Sequence, residues 1–389
     1  MRIAIDYTAA IRQGAGIGTY VRRLVDAMLD QDTTNAYTLL TSGRPTQEQP
    51  FPEGERVRGR SVLIPDRYLN ILWYRWRVPL TATLFTGAAD IYHGPDFVLP
   101  PLPKKTRKVV TIHDVAFLEH PEYAAPSLAA YLKKVVPEAL EEADVIATVS
   151  HEVSRTLIKH FQAPRERLTV IPNGVGSYFK RVTDPVLLES TRNKFGLKPP
   201  FLLAVGTLEP RKNHLGLIKA YYQLYQQKKA PAMLVIAGGK GWLYDETREL
   251  VQQLKLEKRV RFLGRVSDLE LVHLYSMAQI FAFPSFFEGF GIPPIEAMAC
   301  GAPVITSNIS SLPEVAGDAA LLVDPHNIDE LAHAIARLSG DEQLRNDLRQ
   351  KGYAQAQKFT WEQSARKMLS VYQRLYEGKT NFSDEDALS

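Results

Sequence analysis

Two successive series of short apolar runs, separated by amphipathic stretches, constrain the fold of this chain more than any other feature. Each run has the length of a buried strand, and the stretches between the runs have the period of helices. Strands and helices that alternate in this way predict parallel sheets covered by helices. The first series comprises predicted strands at residues 3–6, 37–40, 90–93, 108–112, 144–149 and 168–171. The second series comprises predicted strands at residues 201–205, 233–237, 260–263, 280–284, 303–306 and 321–323.

An irregular segment, residues 172–198, separates the two series. Each series can close a doubly wound sheet of its own, and 389 residues of which 45% are hydrophobic can fill two cores of ordinary size. We therefore expect an α/β protein with two Rossmann-like domains, residues 1–178 and residues 179–359, facing a central cleft. The last predicted helix follows the second sheet, and we expect residues 360–389 to pack back onto the first domain.

Two helix starts are marked by capping residues. Ser267 is followed three residues later by Glu270, and Asn327 by Glu330. In such pairs the first side chain accepts a hydrogen bond from an amide of the first helical turn, which otherwise has no partner. Helices are therefore predicted to begin at these positions.

The charge balance and the single cysteine exclude several classes of function. The formal net charge of +4 is a small excess of 47 basic over 43 acidic residues, so a nucleic-acid partner is not expected. Cys300 is the only cysteine, which rules out an internal disulfide, and we interpret it as a small core residue. The chain starts with a predicted strand, and no apolar run approaches the roughly 18 residues that span a bilayer. We therefore expect a cytoplasmic protein.

The segment 286–301 carries the most chemical information. Glu288 and Glu296 stand eight positions apart, with a glycine turn and a predicted helix start between them. The predicted strand at 280–284 gives way here to a helix, which is the usual position of ligands in an open α/β sheet. The two carboxylates are therefore expected to reach the same ligand.

A glycine-rich loop follows the first predicted strand. Gly14, Gly16 and Gly18 open a predicted helix, and glycines let backbone amides approach an oxyanion at a helix N-terminus. The pattern is not that of a dinucleotide-binding fingerprint, because Thr19 stands where the third glycine would be. A glycine turn with a purely structural role remains the alternative.

The second series begins with a strand that ends at Gly206 and is followed by Arg211 and Lys212. Two adjacent cations at the end of a strand would suit a diphosphate, since arginine offers a planar fork and lysine a compact charge. A salt-bridged surface is the alternative interpretation of these two residues.

His113 ends the predicted strand at 108–112 in the first domain. A histidine in this position could hydrogen-bond sugar hydroxyls or stabilise charge. The alternative is a core histidine whose partner is Asp114.

Two carboxylates also suggest a glycoside hydrolase, in which the pair is separated by about 5 to 9.5 Å. Hydrolases do not need a diphosphate site, however, so we interpret Glu288 and Glu296 as ionised carboxylates that accept hydrogen bonds from the hydroxyls of a nucleotide sugar. A metal-binding pattern occurs only at 384–386, Asp-Glu-Asp, in the polar tail, where we interpret it as solvated charge. No metal ion or other cofactor is expected.

Residues 66–78 mix aromatic side chains with arginines. Such a surface could hold an acceptor or contact anionic lipid, because amphipathic side chains suit an interface. The alternative is a helix that packs Leu69, Leu72, Trp73 and Trp76 into the first domain.

Three segments together resemble a known family. Residues 288–296, residues 205–213 and the connector 171–175 resemble the retaining glycosyltransferases of family 4, and the resemblance covers nearly the whole chain. It implies the GT-B fold. Within the family, residues 111–114 and 16–20 are most similar to bacterial mannosyltransferases that extend surface polysaccharides from GDP-mannose.

The resemblance implies roles for individual residues. Glu296 would bind the ribose hydroxyls of the donor and Glu288 its sugar, while Arg211 and Lys212 would neutralise the diphosphate and His113 would touch the sugar near the reaction centre. The catalytic residues are thus expected to be His113, Arg211, Lys212 and Glu288. The other positions implied in donor binding are Gly16, Gly206, Val266, Phe290, Gly291 and Ile292.

The resemblance also implies a mechanism in which cations and helix dipoles, instead of a metal, stabilise the leaving diphosphate. Front-face attack by the acceptor hydroxyl with retention is favoured, and a double displacement remains open. The acceptor would be a glycan or lipid-linked glycan, with the enzyme in the cytoplasm and peripheral contact with the membrane as an added hypothesis. Alternatives are UDP-glucose or another UDP-sugar as donor, a sugar-nucleotide epimerase, and a noncatalytic sugar-nucleotide-binding protein.

Overall fold

The structure is a computed structural model that describes residues 1–14, 16–43, 50–65, 68–69, 71–76, 78, 80–123, 125–241 and 244–383. The chain forms two compact units. The N-terminal unit comprises Met1–Gly174 and Trp361–Ser389, and the C-terminal unit comprises Val175–Thr360. The motif at 384–386 lies outside the described residues.

The N-terminal unit contains one sheet of seven parallel strands in its described part, in the order β3-β2-β1-β4-β5-β6-β7. The chain builds outward in one direction from β1 and then in the other from β4, so the carboxyl ends of these two neighbours form the switch point of the sheet. The strands are β1 (Arg2–Asp6), β2 (Ala36–Ser42), β3 (Val57–Val62), β4 (Ile91–Gly94), β5 (Arg107–Ile112), β6 (Val145–Thr148) and β7 (Leu168–Val170).

The C-terminal unit repeats this plan with six described strands in the order β10-β9-β8-β11-β12-β13, again all parallel. Its switch point lies between β8 and β11. All residues of β9 and β11 are buried, as expected for parallel strands that are covered on both faces. The strands are β8 (Phe201–Val205), β9 (Met233–Ala237), β10 (Val260–Gly264), β11 (Ile280–Phe283), β12 (Val304–Ser307) and β13 (Ala320–Val323).

Helices connect the strands in both units. The α-helices are α1 (Thr8–Arg12), α2 (Ile17–Gln31), α3 (Thr83–Thr86), α4 (Ala116–Glu119), α5 (Pro126–Glu142), α6 (His151–Phe161), α7 (Pro185–Phe195), α8 (His214–Gln226), α9 (Tyr244–Gln253), α10 (Asp268–Met277), α11 (Ile292–Ala299), α12 (Leu312–Ala316), α13 (Ile328–Gly340), α14 (Glu342–Ala356) and α15 (Trp361–Tyr376). Short 3-10 helices span Pro121–Tyr123, Arg165–Arg167 and Pro210–Lys212, and a π-helix spans Ile71–Arg75. None of the helices in the described ranges is long and apolar enough to cross a membrane.

The predicted helix starts are confirmed. Ser267 and Glu270 form a complete capping box at α10, in which each side chain bonds to the backbone of the other residue. The side chain of Asn327 accepts a hydrogen bond of 3.0 Å from the amide of Glu330 at the start of α13.

The last helix, α15, packs on the N-terminal unit as predicted. The ring of Trp361 lies 5.9 Å from that of Tyr20 in α2, and Gln31 Nε2 donates a hydrogen bond of 3.0 Å to the carbonyl oxygen of Glu362. The strand predictions are confirmed except for β3, which the sequence analysis missed. Arg58–Ser61 within β3 are exposed and polar, because β3 is an edge strand with little apolar surface to reveal it.

The apolar side chains of the 66–78 segment differ in their burial. Leu69 and Trp73 are buried, and Trp73 Nε1 donates a hydrogen bond of 2.8 Å to the carbonyl oxygen of Leu80. Trp76 is 67% exposed. The packing interpretation is therefore right for Leu69 and Trp73 and wrong for Trp76. Asp66, Arg67, Asn70 and Arg77 lie outside the described residues.

Candidate functional site

A cluster of charged side chains lies at the switch point of the C-terminal sheet. Arg211 and Lys212 follow β8 in a 3-10 turn, and Glu288 follows β11, the neighbour of β8 in the sheet. The amide of Phe286 donates a hydrogen bond of 2.8 Å to the carbonyl oxygen of Arg211, which ties the two loops together. The topology thus brings together residues that are far apart in the sequence.

Glu288 bridges the two cations. Arg211 Nη1 lies 2.5 Å from Glu288 Oε2, and Lys212 Nζ lies 2.6 Å from Glu288 Oε1. Arg211 Nη1 also donates a hydrogen bond of 2.9 Å to the carbonyl oxygen of Phe287, and Lys212 Nζ lies 4.7 Å from the centre of the Phe283 ring. A salt-bridged surface was the alternative for Arg211 and Lys212, but their side chains are only 21% and 12% exposed.

The charged side chains of the cluster shift one another's pKa values. Burial alone would raise the pKa of Glu288, but the charges of Arg211 and Lys212 outweigh burial and hold that pKa below its usual value. Burial and the charge of Arg211 lower the pKa of Lys212, while Glu288 opposes this shift. Glu288 is therefore an ionised carboxylate at neutral pH, as expected from the sequence.

Two serines that the sequence analysis missed hold the backbone of Glu288. The Glu288 amide donates a hydrogen bond of 3.0 Å to Ser310 Oγ, and Ser311 Oγ donates one of 2.8 Å to the Glu288 carbonyl oxygen. Ser310 adopts a left-handed backbone conformation with φ of 55°, which is uncommon outside glycine. Both serines follow β12, the next strand in the sheet, so a pair of hydroxyl residues just beyond a strand was the available signal.

Helix α11 begins at Ile292, four residues after Glu288. Gly291 caps the helix with φ of 98°, and a Cβ atom at this position would lie 2.6 Å from Leu312 Cδ2, so only glycine fits. Phe290 is buried, its ring 5.5 Å from that of Phe359. Ile292 is the first helical residue, and its amide has no acceptor within the helix, while Pro293 and Pro294 at the next two positions carry no N–H group.

Glu296 lies on α11 and differs from Glu288 in its surroundings. Tyr275 donates a hydrogen bond of 3.2 Å to Glu296 Oε2. Burial raises the pKa of Glu296 to about 8, and the Tyr275 hydrogen bond offsets only part of this shift. Burial thus works against the ionised form that the sequence analysis expected for Glu296.

Two further predicted donor-binding residues follow strands β8 and β10, which β9 separates in the sheet. The amide of Gly206, at the end of β8, donates a hydrogen bond of 3.0 Å to the carbonyl oxygen of Ala237, and its φ of 147° is one that side chains rarely adopt. Val266 lies between β10 and α10 and is partly buried. Within the described residues, no hydrogen bond links Val266 to the charged cluster.

His113 lies at the end of β5 in the N-terminal unit and is buried. Its Nε2 donates a hydrogen bond of 2.7 Å to the carbonyl oxygen of Pro95, so its partner is not Asp114, whose carboxylate accepts from the amide of Ala116. The rings of Tyr20 and Phe97 meet the imidazole edge-on, with centres 4.6 Å and 5.7 Å away.

Burial keeps His113 neutral. It lowers the pKa of His113 to about 4, and the hydrogen bond to Pro95 reverses only part of the shift. A carbonyl oxygen can only accept, so Nε2 carries the proton of the neutral ring and Nδ1 is left as an acceptor. His113 can therefore accept a hydrogen bond from a ligand hydroxyl at neutral pH.

The glycine loop is partly structural. A Cβ atom on Gly18 would lie 2.1 Å from the carbonyl oxygen of Gln13, so this glycine is required where α2 packs on the preceding loop. Gly16 caps α2 with φ of 58°, and no atom lies within 4 Å of the position of a Cβ there. The structural interpretation thus holds for Gly18, while Gly16 faces open space.

A cavity of about 450 Å³ lies beside this loop in the N-terminal unit. Carboxylates and apolar side chains share its wall, among them Asp6, Asp96, Leu69, Trp73 and Leu132. In the described ranges, no three histidine, cysteine, aspartate or glutamate side chains are grouped so as to hold a metal ion.

Comparisons with known proteins agree with this architecture. The sequence matches the family described as Glycosyltransferase Family 4 over residues 14–176 and the one described as Glycosyl transferases group 1 over residues 188–355. It is 37% identical over 287 residues to the O-antigen chain mannosyltransferase B of Escherichia coli, covering 73% of this chain and 74% of that protein. It is 31% identical over 249 residues to the serotype-specific mannosyltransferase WbdA of Escherichia coli, covering 63% of this chain and 30% of that longer protein. The sucrose-phosphate synthase of Thermosynechococcus elongatus has a similar structure, with a TM-score of 0.77, 22% identity, and coverage of 97% of this chain and 100% of that one.

Two parallel-sheet units and this structural similarity define the GT-B fold of glycosyltransferases. Within that class, the chain belongs to the family 4 glycosyltransferases, also described as glycosyl transferases group 1. The resemblance seen in the sequence is confirmed, and the protein is a glycosyltransferase.

Proposed function

We propose that this enzyme transfers mannose from GDP-mannose to a hydroxyl of a glycan or lipid-linked glycan, with retention of configuration and without a metal ion. The observation that carries the proposal is the charged cluster, in which Arg211 and Lys212 lie together at the switch point of the C-terminal sheet. Negative charge builds on the diphosphate as the glycosidic bond breaks, and fixed cations stabilise this charge. Mannose as the sugar is supported by the two mannosyltransferases among the relatives.

Different residues of the C-terminal unit are proposed to bind different parts of the donor. Arg211 and Lys212 bind the diphosphate, and Glu288 accepts hydrogen bonds from the donor sugar. The backbone around Phe290, Gly291 and Ile292 offers amide donors to sugar and phosphate. The other donor contacts of this unit are proposed to be Gly206, Val266 and Glu296, and Gly16 of the N-terminal unit is proposed as a further one.

Glu296 is proposed to bind the ribose. In its protonated form the carboxyl both donates and accepts a hydrogen bond, which suits a pair of neighbouring hydroxyls. His113, neutral with Nδ1 as an acceptor, is proposed to receive a hydrogen bond from a hydroxyl of the sugar.

Front-face attack suits the chemistry of these residues better than a double displacement. The Glu288 carboxylate accepts hydrogen bonds from the two cations in the ligand-free enzyme and, in the proposed donor complex, from hydroxyls of the sugar, and in either state these bonds reduce its strength as a nucleophile. The acceptor hydroxyl therefore forms the new bond on the face that the diphosphate leaves, and its proton passes to the departing phosphate oxygen. Detection of a covalent glycosyl-enzyme by mass spectrometry would contradict this step.

The acceptor is proposed to bind in the cavity of the N-terminal unit. Its wall combines carboxylates with the buried side chains of Leu69 and Trp73, a combination that suits the hydroxyls and the apolar faces of sugar rings. The exposed Trp76 nearby in the sequence motivates a test of peripheral contact with the membrane. Absence of binding to anionic liposomes at low salt would count against such contact.

A thermal-shift panel of nucleotides and nucleotide sugars tests the donor. A ligand that binds only the folded state raises the melting temperature, and we expect GDP-mannose and GDP to do so more than UDP-glucose and UDP. A larger shift with a UDP-sugar would replace the proposed donor.

Incubation of the enzyme with the donor then tests the reaction. Slow hydrolysis without acceptor is expected of a transferase, whereas an isomerised sugar would indicate an epimerase and binding without chemistry a noncatalytic protein. With a glycan acceptor, NMR of the product is expected to show the anomeric configuration of the donor.

A further inference from the structure

The carboxylate of Glu288 occupies the position between Arg211 and Lys212 where the diphosphate of the proposed donor would bind. We infer that Glu288 holds Arg211 and Lys212 in the ligand-free enzyme as an internal substitute for the diphosphate, and that the incoming donor displaces its carboxylate from them. The inference rests on the proposed function, because it takes a nucleoside diphosphate as the displacing ligand.

The bridge uses two oxygens of a single anionic group, an arrangement that a phosphoryl group also offers. One oxygen of Glu288 contacts Arg211 at 2.5 Å and the other contacts Lys212 at 2.6 Å, so a single anionic group spans both cations. The oxygens of a phosphoryl group would make the same pair of contacts. The exposed fractions of the side chains are 9% for Glu288 and 12% for Lys212, which leaves little room for a second anion beside the carboxylate.

The surroundings of Glu288 favour exchange by rotation of its side chain. Its backbone is fixed on both sides, since the amide donates to Ser310 Oγ and the carbonyl oxygen accepts from Ser311 Oγ. The contacts to Arg211 and Lys212, in contrast, involve only the carboxylate. Displacement can therefore proceed without movement of the loop.

The exchange has a consequence for selectivity. A donor that carries a sugar offers hydroxyls to the displaced carboxylate, so Glu288 regains hydrogen-bond partners when the intact donor is bound. A nucleoside diphosphate without a sugar offers none, and the carboxylate competes with it for the cations. Glu288 thus favours binding of the intact donor and release of the diphosphate product.

The inference predicts that removing the charge of Glu288 tightens the binding of the product. Glu288→Gln keeps the shape of the side chain but removes the negative charge that competes with the diphosphate. We expect GDP to bind to this variant about tenfold more tightly than to the wild type, on the scale of coupling between close charges. The ratio of GDP to GDP-mannose affinity is expected to shift toward GDP, because the intact donor also loses a contact. Isothermal titration calorimetry of both ligands measures these changes.

Glu209→Gln is the matched control. The Glu209 carboxylate lies 3.8 Å from Arg211 Nη2 but does not bridge to Lys212, and its side chain is 29% exposed. The Glu209 carboxylate lies farther from Arg211 and is more exposed than that of Glu288, so its charge competes less with the diphosphate and GDP affinity in this variant is expected to stay within about twofold of the wild type. An equal gain of GDP affinity in both variants would mean that any loss of negative charge near Arg211 has this effect, and it would overturn the inference.

A second variant covers the case in which Glu288→Gln does not fold. Glu288→Asp retains the charge but is one methylene shorter and cannot bridge both cations from the same backbone, so GDP is expected to bind more tightly than to the wild type. GDP affinity equal to or weaker than that of the wild type in a folded variant would overturn the inference alone. Failure of the wild type to bind any nucleoside diphosphate would overturn the proposed function and the inference with it.

Discussion

The two sheets of this enzyme differ in the charge of the side chains that follow their strands. In the C-terminal unit, ionised Glu288 joins two cations, and the local chemistry is that of charge. In the N-terminal unit, His113 is neutral, held by a carbonyl oxygen and enclosed by aromatic rings. The same topology thus yields one site suited to a diphosphate and another suited to an uncharged group.

The difference arises from the partners that each fold supplies. Glu288 stays charged because Arg211 and Lys212 offset the cost of its burial, whereas His113 has only the Pro95 carbonyl to oppose burial and remains neutral. Burial of a titratable group therefore does not decide its charge. The nearest partners do.

Removal of a cation from the C-terminal site is expected to have the largest effect. Lys212→Ala or Arg211→Ala should lower turnover by on the order of 10²-fold or more, the scale for losing a group that stabilises developing charge. Initial rates with purified variants measure this effect. Arg192→Ala, which removes an exposed arginine paired with Glu189 on the same unit, is the control and should leave turnover unchanged. Full activity in both Lys212→Ala and Arg211→Ala would contradict the proposal that these residues bind the diphosphate.

Removal of the imidazole from the N-terminal site is expected to have a smaller effect. His113→Ala should lower kcat/KM about tenfold, which is the scale of one hydrogen bond. Because the pKa of His113 is lowered to about 4, the ratio of wild-type to variant kcat/KM should stay constant from about pH 6 to 8. His120→Ala, at a partly exposed histidine outside the proposed site, should match the wild type. A ratio that changes with pH near neutrality would show that His113 titrates there.

Glu296 sharpens the comparison, since it is a carboxyl group that lacks the cations of Glu288. Its folded pKa of about 8 lies above the ordinary 4.5, so the protonated form contributes stability that is full below the ordinary value and is lost as pH rises through about 8. Glu296→Gln mimics the protonated form and avoids this loss.

The melting temperature of Glu296→Gln should therefore be higher than that of the wild type at about pH 9 and close to it at about pH 5. Each kcal/mol gained in the free energy of unfolding should raise the melting temperature by about 2–4 °C. Thermal unfolding at the two pH values measures the difference. Glu257→Gln, at an exposed position of the same unit, should show no such dependence. A wild type that is no less stable than Glu296→Gln at high pH would contradict the raised pKa.

The smallest expected effect is that of metal removal. If cations of the protein stabilise the leaving group, activity should be unchanged in excess EDTA. Loss of activity that magnesium or manganese restores would show that the charge of the cluster is not sufficient.

The sequence predicted much of this arrangement for physical reasons that can be named. Buried parallel strands are apolar, so twelve strands were visible, whereas β3 at the sheet edge was hidden by its exposed arginines. Arg211, Lys212 and Glu288 were identified individually from the ends of predicted strands. Their bridge was not, because it depends on β8 and β11 being neighbours in the sheet.

Other features could not be foreseen, because they depend on the backbone. The partner of His113 is the carbonyl oxygen of Pro95, and a carbonyl group leaves no mark in the sequence. The raised pKa of Glu296 was not foreseen, since nothing near it in the sequence shows that α11 places it beside Tyr275. Side-chain type thus indicated where the sites lie but not the state of their groups.

The most direct test of the contrast between the two sites is calorimetric titration of GDP into Lys212→Ala and His113→Ala side by side. If the C-terminal site binds the diphosphate and His113 contacts only the sugar, Lys212→Ala should lose most of the affinity for GDP, whereas His113→Ala should bind GDP as the wild type does. Wild-type affinity in Lys212→Ala, or loss of GDP binding in His113→Ala, would contradict this division of roles.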